Sequence, residues 1–478
     1  MLPGAKPALA FLIGQARRVL GPQVVRNVAL EPATELVPKR PEFGLSHPIR
    51  IARRKGSVEH GARSRERQRA STGRARGSRI PGPTVAAPPH LLTTRDELIQ
   101  LVEKIHAAGR LAIDTEFVWE RTYGPILGVV QVATGEAVTV IDALAVTDLS
   151  PLFPALRDPA VPVVLHGGGQ DLEIFATLMR GPVRGVVDTQ VEAAFLGHGF
   201  QVGLSVLLER VLKVRIRKDQ TYTDWTRRPL RPEQLAYAGD DVLHLLPLHD
   251  ALRAELARRE RAAWVEEELR GLEDPARFAD MPPEECYTTV KGWQRLGGRE
   301  AAILRALAAW RDRSARRANV RPNFIANDVV LTSLAMRPVE NAEGLRQTRG
   351  LTGGTVERHA RGILAAINEG MACPEERWPE PPPRLRRRPP PPGLTALLRA
   401  AVQAVAERED IASEAIATTR DIEALVGHAP SDREPTDLAI LSGWRRALVG
   451  DMLLAIARGE LAIRYDPKRR EVIGERRD

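Results

Sequence analysis

LAIDTEF, residues 111–117, is the stretch of this chain that decides the fold, because it ends an apolar run with two carboxylates. Residues 111–113 predict a buried strand, and Asp114 and Glu116, two positions apart, would point to the same face of it. Two neighbouring acids that lose hydration repel each other, so a proton or a cation must neutralise them. Mg²⁺ and Mn²⁺ prefer carboxylate oxygen and are the expected partners. For these two residues taken alone, an acid pair that simply faces water is the alternative.

Composition sets the broad class of the protein. At 478 residues the chain has room for about three domains. Its 70 Lys and Arg against 61 Asp and Glu give a net charge of +9, which favours a polyanionic partner. Cys286 and Cys373 form neither a zinc pattern nor a disulfide framework. No apolar run is long enough to span a bilayer, and the first residues offer no signal-peptide cleavage site, so we expect a cytoplasmic protein without a membrane partner.

The first half of the chain divides into an arm and an α/β domain. Residues 1–90 are rich in Arg, Gly and Ser and predict a disordered basic arm, which either tethers RNA electrostatically or has no function. The pattern TTRDELIQLVEKIHAAG at 93–109 predicts a helix capped by Asp96 or a neighbouring Thr and stopped by Gly109. Strand-length apolar runs follow and then alternate with helices, so residues 91–272 predict an α/β domain with a mixed sheet.

Beyond Pro282 the periodicity is helical. Residues 285–370 predict an all-α domain, and 371–393 predict a stiff linker rich in Pro and Arg. Residues 394–466 predict a second helical domain that resembles the first, and 467–478 predict a charged, frayed tail.

Two further segments carry acids at positions suited to chemistry. In HGGGQDLEIF, residues 166–175, Asp171 opens a predicted helix directly after a strand, where ligand sites of open α/β sheets lie. A simple helix N-cap is the alternative for Asp171. In YAGDDVLHLLPL, residues 237–248, Tyr237 and Asp241 are four apart and share a helical face, whereas Asp240 points about 100° away and is predicted to be solvated.

These residues together resemble a known family. In order and local context, Asp114, Glu116, Asp171, Tyr237 and Asp241 match the DEDD exonuclease superfamily, and the Tyr-x-x-x-Asp ending is similar to its tyrosine subgroup. The other subgroup has His five residues before the last Asp, where this chain has Ala. The segments DTEF, TYGPILGVVQ, QDLEIF, VVDTQVEAAFLG, TDWTRRPL and LAYAGDDV resemble the ribonuclease D family, and both helical domains resemble HRDC (helicase-and-RNase-D C-terminal) domains.

The resemblance implies a fold and an activity. The fold would be α/β, a ribonuclease H-like mixed-sheet exonuclease domain followed by two all-α HRDC-like domains. The activity would be 3′–5′ exoribonuclease action that releases 5′-nucleoside monophosphates from the 3′ ends of tRNA precursors and other small structured RNAs. A monomer is expected. A DNA-directed 3′–5′ exonuclease and an inactive RNA-binding scaffold are the alternatives.

The resemblance also implies roles for the site residues. Two Mg²⁺ or Mn²⁺ ions about 4 Å apart would activate water and stabilise the leaving 3′ oxygen. Asp114 would bridge both ions, Glu116 and Asp241 would complete one site, and Asp171 would support the other, partly through water. Tyr237 would orient the attacking water, since a phenol with a pKa of about 10 is a poor base at neutral pH.

Several further residues are candidates for contact with RNA. Trp225 would stack on a base or, alternatively, pack in the core, and Gln220 and Arg228 would hold the strand. Positive charge along one predicted helix would neutralise phosphates, or else form a solvated face. The arginines of that helix are Arg311, Arg313, Arg316 and Arg317.

Each of two polar residues near the predicted site has two possible roles. Asp188 in VVDTQ is a metal ligand or a helix N-cap. His166 follows a strand close to the predicted metal site and acts there or makes a structural hydrogen bond.

Overall fold

The computed structural model describes residues 89–135, 137–216, 223–380, 391–428, 438–468 and 471–476. The predicted arm up to residue 88, Gln220 and linker residues 381–390 lie outside these ranges. None of the helices within them combines the length and the apolarity that crossing a bilayer requires.

The first helix shows how local sequence sets the ends of an element. Helix α1 (Arg95–Ala108) begins after Thr94, whose hydroxyl accepts a hydrogen bond from the Glu97 N–H at 3.3 Å. In return the Glu97 carboxylate accepts one from the Thr94 N–H at 3.0 Å. Gly109 ends the helix with φ of 67°, which glycine adopts without strain. The predicted helix and its stop are confirmed, with Thr94 rather than Asp96 as the cap.

Six strands in the described residues form one mixed sheet, as predicted. They lie side by side in the order β1–β4–β3–β2–β5–β6. The pairs β2–β3 and β3–β4 are antiparallel, and the other neighbours are parallel. The strands are β1 (His90–Leu92), β2 (Leu111–Val118), β3 (Ile126–Ala133), β4 (Val138–Asp142), β5 (Val163–Leu165) and β6 (Val186–Asp188).

Helices cover both faces of this sheet. They are α2 (Phe153–Arg157), α3 (Gly169–Met179), α4 (Thr189–Ala194), α5 (Leu204–Val211), α6 (Pro232–Leu243), α7 (Leu245–Arg258) and α8 (Ala262–Leu272). Leu111 and Ile113 of β2 share a core with α1 and α3, whereas Ala112 shares one with Val242 of α6. Because side chains alternate along a strand, Asp114 and Glu116 point to the α6 face of the sheet and Thr115 to the α3 face.

The first helical domain has its own core. Its helices are α9 (Arg299–Ala318), α10 (Pro322–Ile325), α11 (Asp328–Met336), α12 (Ala342–Gln347) and α13 (Gly353–Met371). Apolar side chains such as Leu304 and Leu307 of α9, Leu331 of α11 and Ile363 of α13 are buried together. Pairing of apolar helix stripes in this way is what the helical periodicity of the sequence predicts.

The loop between β2 and β3 is fastened to α9. The Tyr123 hydroxyl donates to Asp312 at 2.6 Å, and the Tyr123 N–H donates to Asn319 Oδ1 at 3.3 Å. The Arg316 guanidinium lies 4.8 Å from the centre of the Tyr123 ring. Burial and the bond to Asp312 hold the pKa of Tyr123 well above its ordinary value. The first helical domain therefore fixes the connection that follows the acidic strand.

The second helical domain shares a core with the α/β domain. Its helices are α14 (Pro392–Glu409), α15 (Ser413–Ile416), α16 (Thr419–His428), α17 (Gly443–Arg445) and α18 (Asp451–Arg458), with a π-helical turn over Arg446–Gly450. Leu398 and Leu453 of this domain are buried in one cluster with Leu196 and Leu252 of the other. The two domains consequently pack as one body of apolar side chains.

Aromatic and polar contacts fix this junction. Trp444 stacks on Trp264 with ring centres 5.3 Å apart and meets the Phe195 ring edge-on at 5.0 Å. Both terminal nitrogens of Arg445 donate to the Glu268 carboxylate, one of them at 2.8 Å. A two-point bond of this kind restricts orientation as well as distance.

The end of the chain departs from the prediction. Residues 471–476, predicted as part of a charged tail, form strand β8 (Glu471–Arg476), antiparallel to β7 (Leu461–Asp466). The second domain is therefore not purely helical. Leu461 and Ile463 alternate with exposed residues along β7 and pack against the shared core, so the period of two that defines a strand was present in the sequence.

Replacing Trp444 by Ala is expected to lower the free energy of unfolding by about 3–5 kcal/mol, because it leaves a cavity between Trp264 and Phe195. Urea-induced unfolding followed by circular dichroism measures this loss. The control is Tyr465→Ala, at a side chain that is 58% exposed. It is expected to change the value by no more than about 0.5 kcal/mol. Equal losses in the two variants would contradict a core shared across the junction.

Candidate active site

Three carboxylates meet at the carboxyl end of β2. Asp114 and Glu116 leave one face of the strand, and Asp241 comes from α6, which packs on that face. One oxygen of each carboxylate lies within 4.8 Å of the other two. All three side chains are half-buried.

The electrostatics of this cluster favour a bound cation. Burial, followed by repulsion from the neighbouring carboxylates, raises the pKa of Asp114 well above its ordinary value. The same causes raise the pKa of Glu116 to about 8. Burial raises the pKa of Asp241 to about 7. Without a cation the group retains protons near neutral pH, and with one it is a set of hard oxygen donors that fits Mg²⁺ or Mn²⁺.

Asp171 stands beside this trio on the other face of the strand. It lies in the first turn of α3 and is buried, and its carboxylate accepts a hydrogen bond from the Thr115 hydroxyl. Burial raises the pKa of Asp171, although the Thr115 bond works in the opposite direction. Among the described residues the close group of three does not include Asp171. The bond to Thr115, which stands between Asp114 and Glu116 in β2, keeps Asp171 next to the cluster, and its charge raises the pKa of both neighbours.

Tyr237 lies one helical turn before Asp241 on α6. A hydrogen bond from the Tyr237 side chain lowers the pKa of Asp241, against the larger effect of burial. The Tyr237 ring packs 6.2 Å from the ring of Trp225, centre to centre. The phenol is thus held at the edge of the acidic cluster by a hydrogen bond at one end and by packing at the other.

Asp188 shapes the turn that precedes Asp171. Its carboxylate accepts hydrogen bonds from the backbone N–H groups of Gly167 at 2.8 Å, Gly168 at 3.2 Å and Gln190 at 2.8 Å. Of the two readings of Asp188, the structure supports the helix N-cap, since these bonds include the cap of α4. Gly167 has φ of 65°, which a side chain would strain, so the turn requires glycine there.

His166 has a structural role. Its Nδ1 lies 2.9 Å from Thr189 Oγ1, and its Nε2 lies 2.9 Å from the Val202 carbonyl oxygen. Both ring nitrogens are therefore used within the fold, where they join the end of β5 to α4 and to the segment before α5.

The expectation that Trp225 stacks on an RNA base is wrong. The side chain is only 1% exposed and packs with Val129 and Val140 in a small core under α6. A Cβ at Gly128 would lie 2.6 Å from the Trp225 carbonyl oxygen, so the segment that carries Trp225 lies directly on β3. Packing, the alternative for Trp225, is what the structure shows.

The expectation that Arg228 holds the RNA strand is also wrong. Its guanidinium donates to both oxygens of Asp142, at 2.6 and 2.7 Å, and to the carbonyl oxygens of Trp225, Arg227 and Gly128. Five bonds use all the donors that an arginine has. Burial raises the pKa of Asp142, but the hydrogen bonds and charge of Arg228, together with backbone N–H bonds from Ala145 and Leu144, hold the pKa below its ordinary value. Arg228 therefore fastens the segment before α6 to the end of β4.

Of the four arginines on α9 that were predicted to bind phosphates, two pair with carboxylates of the protein itself. Arg311 is buried and donates to Asp328 at 2.8 Å, so its assignment as an RNA contact is wrong. Arg316 donates to both oxygens of Asp280, at 2.7 and 2.8 Å, and to Asp312 at 2.7 Å. These carboxylates neutralise its charge, which leaves it a structural role.

The other two arginines of α9 remain candidates. Arg313 is 42% exposed in its side chain and pairs with the exposed Glu284 at 2.8 Å. Arg317 is exposed and donates to Ser314 Oγ at 3.2 Å. Exposed pairs of this kind are weak and exchange readily, so both side chains stay available to phosphate.

Three polar residues that hold the site and its surroundings in place were not identified from the sequence. Thr115 holds Asp171, Asp142 holds Arg228, and Asp312 holds Tyr123. Asp142 carries a readable signal, since it is an acid at the end of an apolar strand. Thr115 and Asp312 carry none, because their partners are distant in sequence and no spacing rule connects them.

Two protein-family models match this chain. The model described as a 3′–5′ exonuclease matches residues 89–257, and the HRDC domain model matches residues 300–367. The first match contains all four acids discussed above and Tyr237. The second contains α9 except its first residue, α10 to α12, and most of α13.

Curated relatives and a solved structure are similar to most of the chain. Ribonuclease D of Granulibacter bethesdensis is 36% identical over 404 residues, covering 83% of this chain and 98% of the relative. Ribonuclease D of Escherichia coli is 33% identical over 370 residues, covering 76% and 96%. The crystal structure of Escherichia coli RNase D, described as an exoribonuclease involved in structured RNA processing, matches with a TM-score of 0.69 and 32% identity over 77% of this chain and 98% of that one.

In protein freed of divalent ions, stability is expected to fall as pH rises. The folded-state pKa values of Glu116 and Asp241, about 8 and about 7, exceed their ordinary values, so the folded chain binds protons more tightly than the unfolded chain. The stabilisation is complete below about pH 4 and is lost as the pH rises through the folded-state values. Urea unfolding in EDTA should show a loss of roughly 2 kcal/mol or more between about pH 5 and pH 8.

Two controls accompany this measurement. Saturating Mn²⁺ should reduce the loss, because the cation replaces the protons. Asp241→Asn should flatten the pH dependence and raise the stability at about pH 8, because it removes one repelling charge. Stability that rises across the same range in EDTA would contradict the electrostatic account.

Proposed function

Since this chain belongs to the ribonuclease D family of 3′–5′ exoribonucleases, we propose that its acidic cluster binds two divalent metal ions and hydrolyses the last phosphodiester bond of an RNA 3′ end. The observation that carries this proposal is the meeting of Asp114, Glu116 and Asp241 within 4.8 Å. Asp114 and Glu116 come from one strand, and Asp241 comes from a helix 125 or more positions later in the chain. Together they supply carboxylate oxygens whose burial water alone stabilises poorly.

Each carboxylate has a distinct part in this proposal. The charges of Asp171, Asp241 and Glu116 all raise the pKa of Asp114, so this one carboxylate interacts with each of the other three acids. This supports Asp114 as the shared ligand, with Glu116 and Asp241 completing one ion's set. Asp171, whose carboxylate Thr115 holds, would support the second ion. When bound, the ions supply the positive charge that activates water and stabilises the leaving 3′ oxygen.

Tyr237 is proposed to orient the attacking water. Its hydrogen bond to Asp241 and its packing against Trp225 fix the phenol beside the carboxylates. An ordinary phenol, with a pKa of about 10, stays protonated at neutral pH and therefore positions water by hydrogen bonding rather than by removing its proton. Orientation of this kind lowers the entropy lost at the transition state.

The proposed substrates are 3′-extended tRNA precursors and other small structured RNAs. A net charge of +9 favours a polyanion. Arg313 and Arg317 on α9 are proposed to contact phosphates, which would strengthen binding without selecting bases. We place the enzyme in the cytoplasm as a monomer, and Cys286 and Cys373, the two cysteines, are unpaired in keeping with a reducing compartment.

Asp114→Asn and Asp241→Asn are each expected to reduce hydrolysis about 100-fold or more, because each removes a charged ligand of the proposed metal site. The measurement is the ladder of products from 3′-extended precursor tRNA with Mg²⁺ or Mn²⁺, which reports direction, stopping point and rate together. A matched oligodeoxynucleotide tests selectivity for RNA over DNA.

The control for this pair is Asp240→Asn, a neighbouring acid on the same helix outside the three-carboxylate group, which is expected to retain activity within about threefold. Full activity in Asp114→Asn or Asp241→Asn protein would contradict the proposed mechanism. So would a product ladder that begins at the 5′ end.

Tyr237→Phe is expected to lower kcat about 10-fold or more while KM for RNA stays nearly constant, since the hydroxyl acts on water in the transition state and not on binding. Steady-state kinetics measure both constants. Calorimetric titration with Mn²⁺ should give an affinity close to that of the unaltered protein. A large loss of Mn²⁺ affinity would instead make Tyr237 part of the metal-holding structure.

A further inference from the structure

Gln131 of β3 lies directly opposite Asp114 of β2. The two residues are paired in the antiparallel register of these strands. Directly opposed residues project from the same face, with Cβ atoms about 4.5–5.5 Å apart. The Gln131 side chain therefore lies beside the Asp114 carboxylate.

The amide of Gln131 is buried without a partner. The residue is 0% exposed, and within the described ranges neither its Nε2 nor its Oε1 makes a hydrogen bond. Buried amides in folded proteins almost always have a partner, because losing water without replacement is costly. An apolar side chain of the same size would avoid that cost, so the packing of the core does not explain a glutamine here.

Most of the side chains around the amide are apolar. Val140 of β4 is the residue directly opposite Gln131 on its other side. Val129 and Ala133 flank it on the same face of β3, and Ala238 of α6 belongs to the cluster that covers this face. These side chains are apolar. The same cluster holds Trp225, whose buried indole N–H also lacks a partner in the described part of the chain but can only donate. The Asp114 carboxylate across the strand pair is an acceptor for the amide N–H.

We propose that Gln131 is a positioning residue: when a metal ion binds, its amide N–H donates to the Asp114 carboxylate and holds it in the orientation that the ion requires, whereas without the ion the amide has no partner among the described residues. This inference rests on the proposed metal site. Carboxylates that bind metals are themselves commonly oriented by a hydrogen bond from a neighbouring group. A neutral donor suits this position, because Lys or Arg would compete with the metal for the negative charge and another acid would add repulsion.

The test is Gln131→Met, which keeps the length of the side chain and removes both polar ends. In EDTA the melting temperature is expected to rise by about 2 °C or more, because a buried amide without a partner is removed. In calorimetric titration with Mn²⁺ alone, the affinity is expected to fall about 10-fold or more. Raising the Mn²⁺ concentration should restore most of the RNA hydrolysis rate, since Gln131 acts through metal binding.

Val140→Ala is the matched control, since it alters packing directly beside Gln131 and leaves the amide in place. It is expected to lower the melting temperature with and without metal and to leave the Mn²⁺ affinity within about twofold. Gln131→Met protein with unaltered Mn²⁺ affinity would overturn the positioning role, whatever its melting temperature. Absence of Mn²⁺ binding in the unaltered protein would instead overturn the metal site itself, and this inference with it.

Discussion

The repulsion among three carboxylates is the constraint on which the rest of this structure depends. Asp114, Glu116 and Asp241 lie within 4.8 Å of one another, so folding works against their lost hydration as well as their charge. Packing of α6 on the sheet opposes that cost. The bond between Arg228 and Asp142 reinforces it, because it ties the segment before α6 to the end of β4. The fold thus maintains a site of concentrated negative charge, and a bound cation would reduce the repulsion within it.

The helical domains contribute to the architecture of the exonuclease domain. Helix α9 uses Asp312 and Arg316 to hold Tyr123, and through it the loop that follows the acidic strand. The second helical domain completes the core behind α4, α7 and α8, with Trp444 at its centre. Arg228, Arg311 and Arg316, which were expected to bind nucleic acid, pair with carboxylates of the fold instead, so part of the positive charge serves the protein's own architecture.

Local periodicity made the site readable from sequence. Spacing of two on a strand aligned Asp114 with Glu116, spacing of four on a helix aligned Tyr237 with Asp241, and alternation of strands and helices indicated the mixed sheet. The same reasoning failed for Arg228, whose partner lies 86 positions earlier. Arginine and tryptophan occur both at RNA-binding surfaces and in packed interiors, and only tertiary contacts decide between these. The prediction also missed the β7–β8 hairpin: β7 carries a period of two, but β8 is short and highly charged and differs little from a frayed tail.

The shared core also has a consequence for the order of events during synthesis. Its buried residues run from Ala112 in β2 to Ile456 in α18. A ribosome that makes the chain from its N-terminus therefore releases the sheet and its helices long before the segment that covers α4 and α8. Until then the apolar surfaces around Phe195 remain open to water, to chaperones and to other nascent chains. The α/β domain is translated first, but its shared core closes only after the segment from Leu398 to Ile456 has been made.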